Sequence, residues 1–375
     1  MKEHNTTVIE NPEKSFPSSP HPIVTRIEAI RRCLRESIGL PFASLLPEEV
    51  LEETLKAEKI SYRKRLFCPI VTLWTWLSAV LDPDKSCKKA LARVIAYLAA
   101  TGQEIPSTQT SAYCQARKRL KAIGVLRLVR KTGENLHHQS PPQWLWCGRR
   151  VVVVDGETLL LADTKENQQE YPQHKTQKKG CGFPIARIAT LFGLSTGAVI
   201  DAALSSLKTG EVNLFRQFYS HLQPGEVALG DRMFGSYADI SELARRGVDS
   251  VFRLHGRRKC DFRTGKRLGH LDPLVMWQKP KQCPPGLSHK QFEPLEATVK
   301  VREVRFEVKQ KGFRTKQVTL VTTLLDSKAY PASALGQLYR LRWQAEISLR
   351  HLKTRMQMEF LSSKTPDMAR TMSTC

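Results

Sequence analysis

The 375-residue sequence has no CxxC pair among its nine cysteines, and their spacing is irregular. Neither a disulfide framework nor a zinc ribbon is encoded by such a pattern. His255, Cys260, His270 and Cys283 stand at gaps that fit no standard finger, and the expectation is reduced thiols in a cytoplasm. No secretion signal opens the chain, because Met1 to Pro22 is polar and proline-bearing. The longest apolar run, Cys68 to Leu81, is too short to span a bilayer and reads as a core helix. Internal repeats and an amphipathic membrane anchor are missing too, so no membrane partner is expected. Acid is the scarce charge: 36 Asp plus Glu face 59 Lys plus Arg, a net +23. That excess attracts phosphate backbones, which makes nucleic acid the leading partner class.

What is present falls into segments. Residues 1–22 read as disordered. Residues 23–140 read as a helical N-terminal DNA-binding domain, with Ile27, Ile30, Leu34 and Ile38 at helical spacing and Pro47-Glu48-Glu49 opening another helix. From Arg117 through Arg119 to Lys131 there are seven basic residues and no acid, either a solvated face or a DNA-binding helix. After Pro141-Pro142 the texture changes. Strands are expected at Val151–Val154, Ile185–Leu194, Ala198–Leu204, Val227–Leu229 and Ser250–Leu254, with helices from Glu211 to His221 and Ser236 to Arg246. That order makes residues 141–254 an α/β segment with a mixed sheet. Residues 255–330 alternate as a β-rich insertion, and Pro331 to about Phe360 reads as one long helix.

Asp155 and Asp231 each close a short apolar strand, where a carboxylate projects into a crevice. Aspartate followed by glycine, as at 155–156, is equally an ordinary turn signal. In the last helix, taking about 100° per residue from Tyr339, Arg342, Glu346, Arg350 and Lys353 fall at about −60°, −20°, +20° and −40°. Leu338, Leu341, Ala345 and Leu349 form an apolar stripe beside them. One reading is a salt-bridged surface helix. The other joins Glu346 to the two aspartates as hard oxygen ligands for two Mg²⁺ or Mn²⁺ ions, about 4 Å apart, which activate water or a 3′-hydroxyl. The bases beside Glu346 then grip the phosphates of the strand being cut.

Tyr339-x2-Arg342-x3-Glu346-x6-Lys353 resembles the signature of the IS4 family of bacterial insertion-sequence transposases. Asp155-Gly156 with Asp163-Thr164, Asn167-Gln168 and Tyr171-Pro172-Gln173 is similar to the segment around that family's first aspartate, and Gly230-Asp231-Arg232-Met233-Phe234 to that around its second. Thr72-Leu73-Trp74, Asp84-Lys85-Ser86-Cys87 and Tyr113-Cys114-Gln115-Ala116-Arg117 also read like family members. The likeness runs from about Leu45 to Met368. It implies an RNase H-like core with Asp155, Asp231 and Glu346 as catalytic metal ligands. It also implies DNA contacts by Tyr339, Arg342 and Lys353, and a homodimer acting on paired transposon ends and target DNA. The implied reaction is hydrolysis at a transposon end, hairpin formation, hairpin opening and strand transfer, in a cytoplasmic, nucleoid-associated bacterial protein.

Arg350 joins the DNA-contacting set from its helical angle alone. In the insertion, seven basic residues and one acid lie between Arg253 and Arg267, and Arg257 and Arg258 are taken as DNA contacts. Trp277 is either a platform for an unpaired base or, preferably, core of the insertion. Two departures from the family stand out. Glu157 replaces a small hydroxyl residue, and Ala369 to Cys375 resembles nothing in it, as if residues 331–375 were a C-terminally truncated second half of the core. A decayed copy that only binds transposon ends, and an RNase H-like nuclease unrelated to transposition, are the alternative readings.

Overall fold

Four β-branched residues, Val151–Val154, start one of the two longest strands of the sheet, and apolar runs of the same kind supply its partners. The computed structural model describes residues 8–9, 48–59, 66–82, 84, 86–100, 102, 105–120, 122–308, 317–355 and 358–373. Its strands are β1 (Val8–Ile9), β2 (Val151–Leu161), β3 (Ile185–Gly193), β4 (Val199–Ser206), β5 (Val227–Gly230), β6 (Asp249–Arg253), β7 (Lys266–Gly269), β8 (Asp272–Gln278), β9 (Thr298–Val308), β10 (Gln317–Thr322) and β11 (Phe360–Leu361). The main path of the sheet runs β4-β3-β2-β5-β6-β10-β9-β8-β7. β2, β5 and β6 are parallel, while β6–β10 and β10–β9 are antiparallel. The fold class is mixed α/β, as expected, and the β-rich insertion extends the same sheet.

The chain divides into two compact units. The first takes residues 1–19, 135–157 and 187–347. On one face of its sheet Val152, Val154, Leu191 and Phe252 pack with Leu214 and Phe215 of helix α7 (Glu211–Gln217) and Ile240 of α8 (Tyr237–Arg245). Alternation explains this: side chains two apart on a strand share a face, so 152 and 154 point one way and 151, 153 and 155 the other. Ser236 caps α8, its hydroxyl accepting from Asp239 N–H. Fully buried Arg302 on β9 makes two 2.6 Å bonds to Asp272 on β8, tying the insertion strands together.

The second unit takes residues 20–134, 158–186 and 348–375. Its helices include α1 (Glu48–Ala57), α2 (Pro69–Leu81), α3 (Cys87–Ala100), α4 (Ser111–Arg119) and the start of α5 (Ala122–His138). Proline at the first position of α2 suits a helix start, and Ile70, Leu73, Trp74 and Trp76 bury its apolar run. The core-helix reading of Cys68–Leu81 holds, and no helix among the described residues is long and apolar enough to cross a membrane. Further helices of the molecule are α6 (Lys165–Glu170), α9 (His289–Phe292), α10 (Ala332–Arg355) and α11 (Pro366–Ser373).

Candidate active site

Two parallel strands lead to two carboxylates. β2 and β5 pair in register from Val151–Val227 to Val153–Leu229. Two steps further in that register come Asp155, on β2, and Asp231, just past the end of β5. Parallel neighbours run about 4.8 Å apart, and Asp155 shares the face of Val153 on β2, while Asp231 follows the last residue of β5. The strand-end reading of Asp155 is corrected: β2 continues to Leu161, so Asp155-Gly156 is no turn. Glu157 consequently shares the face of Asp155, and it is exposed.

Helix α10 brings the third group. Tyr339 O–H donates to Asp231 Oδ1 at 3.4 Å, and Arg342 Nη2 donates to the Tyr339 oxygen at 3.3 Å. The Arg342 guanidinium also lies 4.7 Å from the Tyr339 ring centre and donates through Nη1 to Glu346 Oε1. Asp231, Tyr339, Arg342 and Glu346 are therefore one connected chain of contacts. Burial pushes the Tyr339 phenol up, Arg342 pulls the other way, the Asp231 carboxylate adds to the rise and Arg253 opposes it. The phenol is thus a proton donor at neutral pH. Arg342 is itself buried, whereas Leu341 is exposed. The expected stripe through Leu338 and Leu341 is corrected accordingly: the buried line runs Leu335, Leu338, Arg342, because the guanidinium finds polar partners that make its burial affordable.

Beside Asp231 opens a cleft of about 400 Å³ lined by Arg232, Met233, Gly235, Ser236, Tyr237, His255, Arg257 and Arg258. It joins the residues that follow the second aspartate to the basic start of the insertion. Met233 is exposed at its lining. Arg258 stacks over Trp277 with its guanidinium carbon 3.6 Å from the ring centre. Trp277 is buried and its N–H donates to Glu303 Oε1 at 2.8 Å, so it belongs to the core. Burial, then the Glu303 carboxylate, pushes the Cys260 thiol up to about 12, which leaves no thiolate there at neutral pH. Arg232, Met233 and His255 were missed as site residues in the sequence. Arg232 and Met233 stood in the family-like segment around Asp231, and His255 at the start of a basic run.

The other expected contacts fall on several elements. Arg350 lies further along α10 and is exposed, while the side chain of Lys353 lies outside the described residues. The basic run 117–131 is not one helix but the end of α4 and part of α5. Arg119 is exposed and Arg117 half-buried, whereas Arg127 and Lys131 pair with Glu58 and Glu53 at 2.8 and 2.7 Å. Asn167 is a structural residue: fully buried, it donates to Ala162 O and Ser363 O. Three carboxylates are the oxygen donors that hard divalent ions take, so Asp155, Asp231 and Glu346 fit such an ion by chemistry. Among the described residues no three acidic, histidine or cysteine side chains are gathered as a metal cluster, and Glu346 is held by Arg342.

Comparison with known proteins gives a consistent result. A family profile described as "Transposase DDE domain" matches residues 146–374, and one described as "Insertion element 4 transposase N-terminal" matches residues 35–129. The first match passes Met368 and so corrects the expectation that likeness ends there. The chain is also similar to the transposase InsG for insertion sequence element IS4 of Escherichia coli (strain K12). The two are 25% identical over 351 residues, covering 92% of this chain and 75% of that protein.

Proposed function

This chain belongs to the IS4 family of transposases built on a DDE domain, and from that premise we propose how it cuts and joins DNA. A DDE domain implies an RNase H-like core and generally works with divalent metal ions. Asp155, Asp231 and Glu346 are the catalytic carboxylates and would hold two Mg²⁺ or Mn²⁺ ions. Such ions, when bound, make water or a 3′-hydroxyl a good nucleophile and neutralise the leaving oxygen. The observation that carries the reading is the chain of contacts from Asp231 through Tyr339 and Arg342 to Glu346.

In that chain Arg342 plays two parts. With no DNA present it occupies the Glu346 carboxylate; a phosphate of the cleaved strand is the better partner for its planar fork and draws it off, freeing Glu346 for the aspartates. Tyr339 orients the Asp231 carboxylate by donating its hydroxyl proton. Arg232, Arg257 and Arg258 at the cleft, with Arg350 and Lys353 on α10, hold the phosphates on either side of the cut. Arg117 and Arg119 contact the transposon end. The full sequence is hydrolysis at a terminal inverted repeat, hairpin formation, hairpin opening and strand transfer into target DNA. A homodimer on paired ends carries it out in the bacterial cytoplasm, at the nucleoid.

The test is a cleavage assay on an end duplex taken from the inverted repeats flanking the gene, with Mg²⁺ or Mn²⁺ supplied. Asp155→Ala, Asp231→Ala and Glu346→Ala each lower nicking by about 100-fold or more, while gel-shift binding of the duplex persists. Equal nicking by wild type and all three variants overturns the mechanism. A wild type that binds ends without nicking them leaves only the end-binding reading.

A further inference from the structure

A fourth acidic residue lies against the strand that bears Asp155. Val152, Val154 and Gly156 share one face of β2, and α7 packs on that face through Leu214 and Phe215. One helical turn earlier in α7, Glu211 meets the strand at Gly156. A methyl group placed on Gly156 would sit 2.9 Å from both Cγ and Cδ of Glu211 and 3.1 Å from Oε2. The Glu211 side chain therefore lies on bare backbone, in space that any larger residue at 156 would fill.

That carboxylate is also held from the neighbouring strand. Arg187 on β3 reaches Glu211 Oε1 at 3.7 Å with its buried Nε, which has no hydrogen-bond partner of its own. Its Nη1 donates to Thr209 O at 2.7 Å, securing the loop just before α7. Ala189, two residues along β3, belongs to the same buried cluster as Val152 and Val154. Small residues on the strands thus leave room for one acidic side chain, and one arginine fixes both that side chain and its loop. An acid in the first turn of a helix favours the helix dipole, but that role requires neither a glycine beneath it nor a half-buried arginine beside it.

We infer that Glu211 is a positioning residue for Asp155: seated on Gly156 and braced by Arg187, it fixes the strand at the point where the first catalytic carboxylate emerges. This rests on the transposase reading above. Asp155 and Gly156 are consecutive, so a shift of backbone at 156 passes directly to the aspartate. A misplacement of about 1 Å at a reacting centre costs on the order of 100-fold in rate.

The experiment compares wild type, Gly156→Ala, Glu211→Ala, the double variant and Asp155→Ala. Three readouts are taken: metal-free gel shift of the end duplex, Mn²⁺ affinity of the protein–duplex complex by electron paramagnetic resonance, and single-turnover nicking. Gly156→Ala is expected to bind DNA like wild type, to weaken Mn²⁺ binding by about tenfold and to nick about 100-fold more slowly. Glu211→Ala, which loses the brace without a clash, is expected to bind DNA like wild type and to nick about tenfold more slowly, and the double variant recovers from the Gly156→Ala level to that of Glu211→Ala. Gly156→Ala with wild-type Mn²⁺ affinity and nicking overturns the inference, and so does a double variant no better than Gly156→Ala. Glu211→Ala with wild-type Mn²⁺ affinity and nicking also overturns it. Failure of the transposase reading looks different: wild type itself does not nick, or Asp155→Ala nicks as well as wild type.

Discussion

Tyr339 carries a single hydroxyl that serves two partners, accepting from Arg342 and donating to Asp231. Burial raises its pKa, so the group acts as a fixed dipole and not as a titrating base. Replacing Tyr339 with Phe keeps the ring under Arg342 and removes only the hydroxyl. A hydrogen bond to a charged group contributes about 1.5–3 kcal/mol, so the single-turnover nicking rate of Tyr339→Phe is expected to fall by at least about tenfold. Its pH profile should keep the wild-type shape, because the phenol holds its proton throughout the assay range. A wild-type rate would show that the contact to Asp231 does not orient the carboxylate. Arg342 illustrates what residue patterns hide. Its place on a polar strip was legible from helical spacing, but its burial was not. Hydropathy scores a guanidinium as a surface group and takes no account of Tyr339 and Glu346, which accept from its two terminal nitrogens.

At the scale of elements, runs with strong periodicity were legible to within a few residues. β3, β5, β6 and β10 fall where alternation or β-branched runs place them, and the long helix ends at Arg355 instead of about Phe360. β7 and β8 were not legible, because Lys266–Gly269 is basic and glycine-bearing, and Asp272-Pro273 looks like a turn. Pairing of β8 with β9, and of β7 with β8, overrides both signals. β2 was cut short at Asp155 for the same reason, since a charged residue and a glycine interrupt the apolar run that β2 resumes. In the second unit Asp82 sits at the C-terminal end of α2, where a negative charge opposes the helix dipole. It is compensated by Arg93 and by Lys89 at 3.1 Å. Burial on its own would raise the Asp82 pKa, but the Asp84 N–H, Lys89 and Arg93 outweigh it and the value is lowered from 3.8. A depressed carboxylate stabilises the fold above its unfolded pKa and loses that contribution as pH falls through the folded value. Asp82→Asn is therefore expected to cost about 1–3 kcal/mol at pH 7 in urea denaturation. The gap to wild type should close as pH drops below 3.8. A cost independent of pH would assign the loss to packing.

For the whole molecule, a net +23 charge on 375 residues is the coarsest feature and points to nucleic acid before any motif does. The three carboxylates are spread over almost two hundred residues, from Asp155 through Asp231 to Glu346. The first two follow the paired strands β2 and β5, and a helix that comes after the β-rich insertion bears the third. Pattern alone did not locate the cleft beside Asp231, because its walls come from two loops and one helix start joined only in the folded chain. Glu346 is held by Arg342, and the proposed mechanism has a DNA phosphate draw Arg342 off. Anomalous diffraction at the manganese edge, from crystals of the protein on an end duplex soaked in Mn²⁺, looks at that exchange directly. The account predicts manganese between Asp155 and Asp231, with Glu346 turned onto it and Arg342 moved to a DNA phosphate. Manganese bound elsewhere, in a complex that still nicks its DNA, would contradict it.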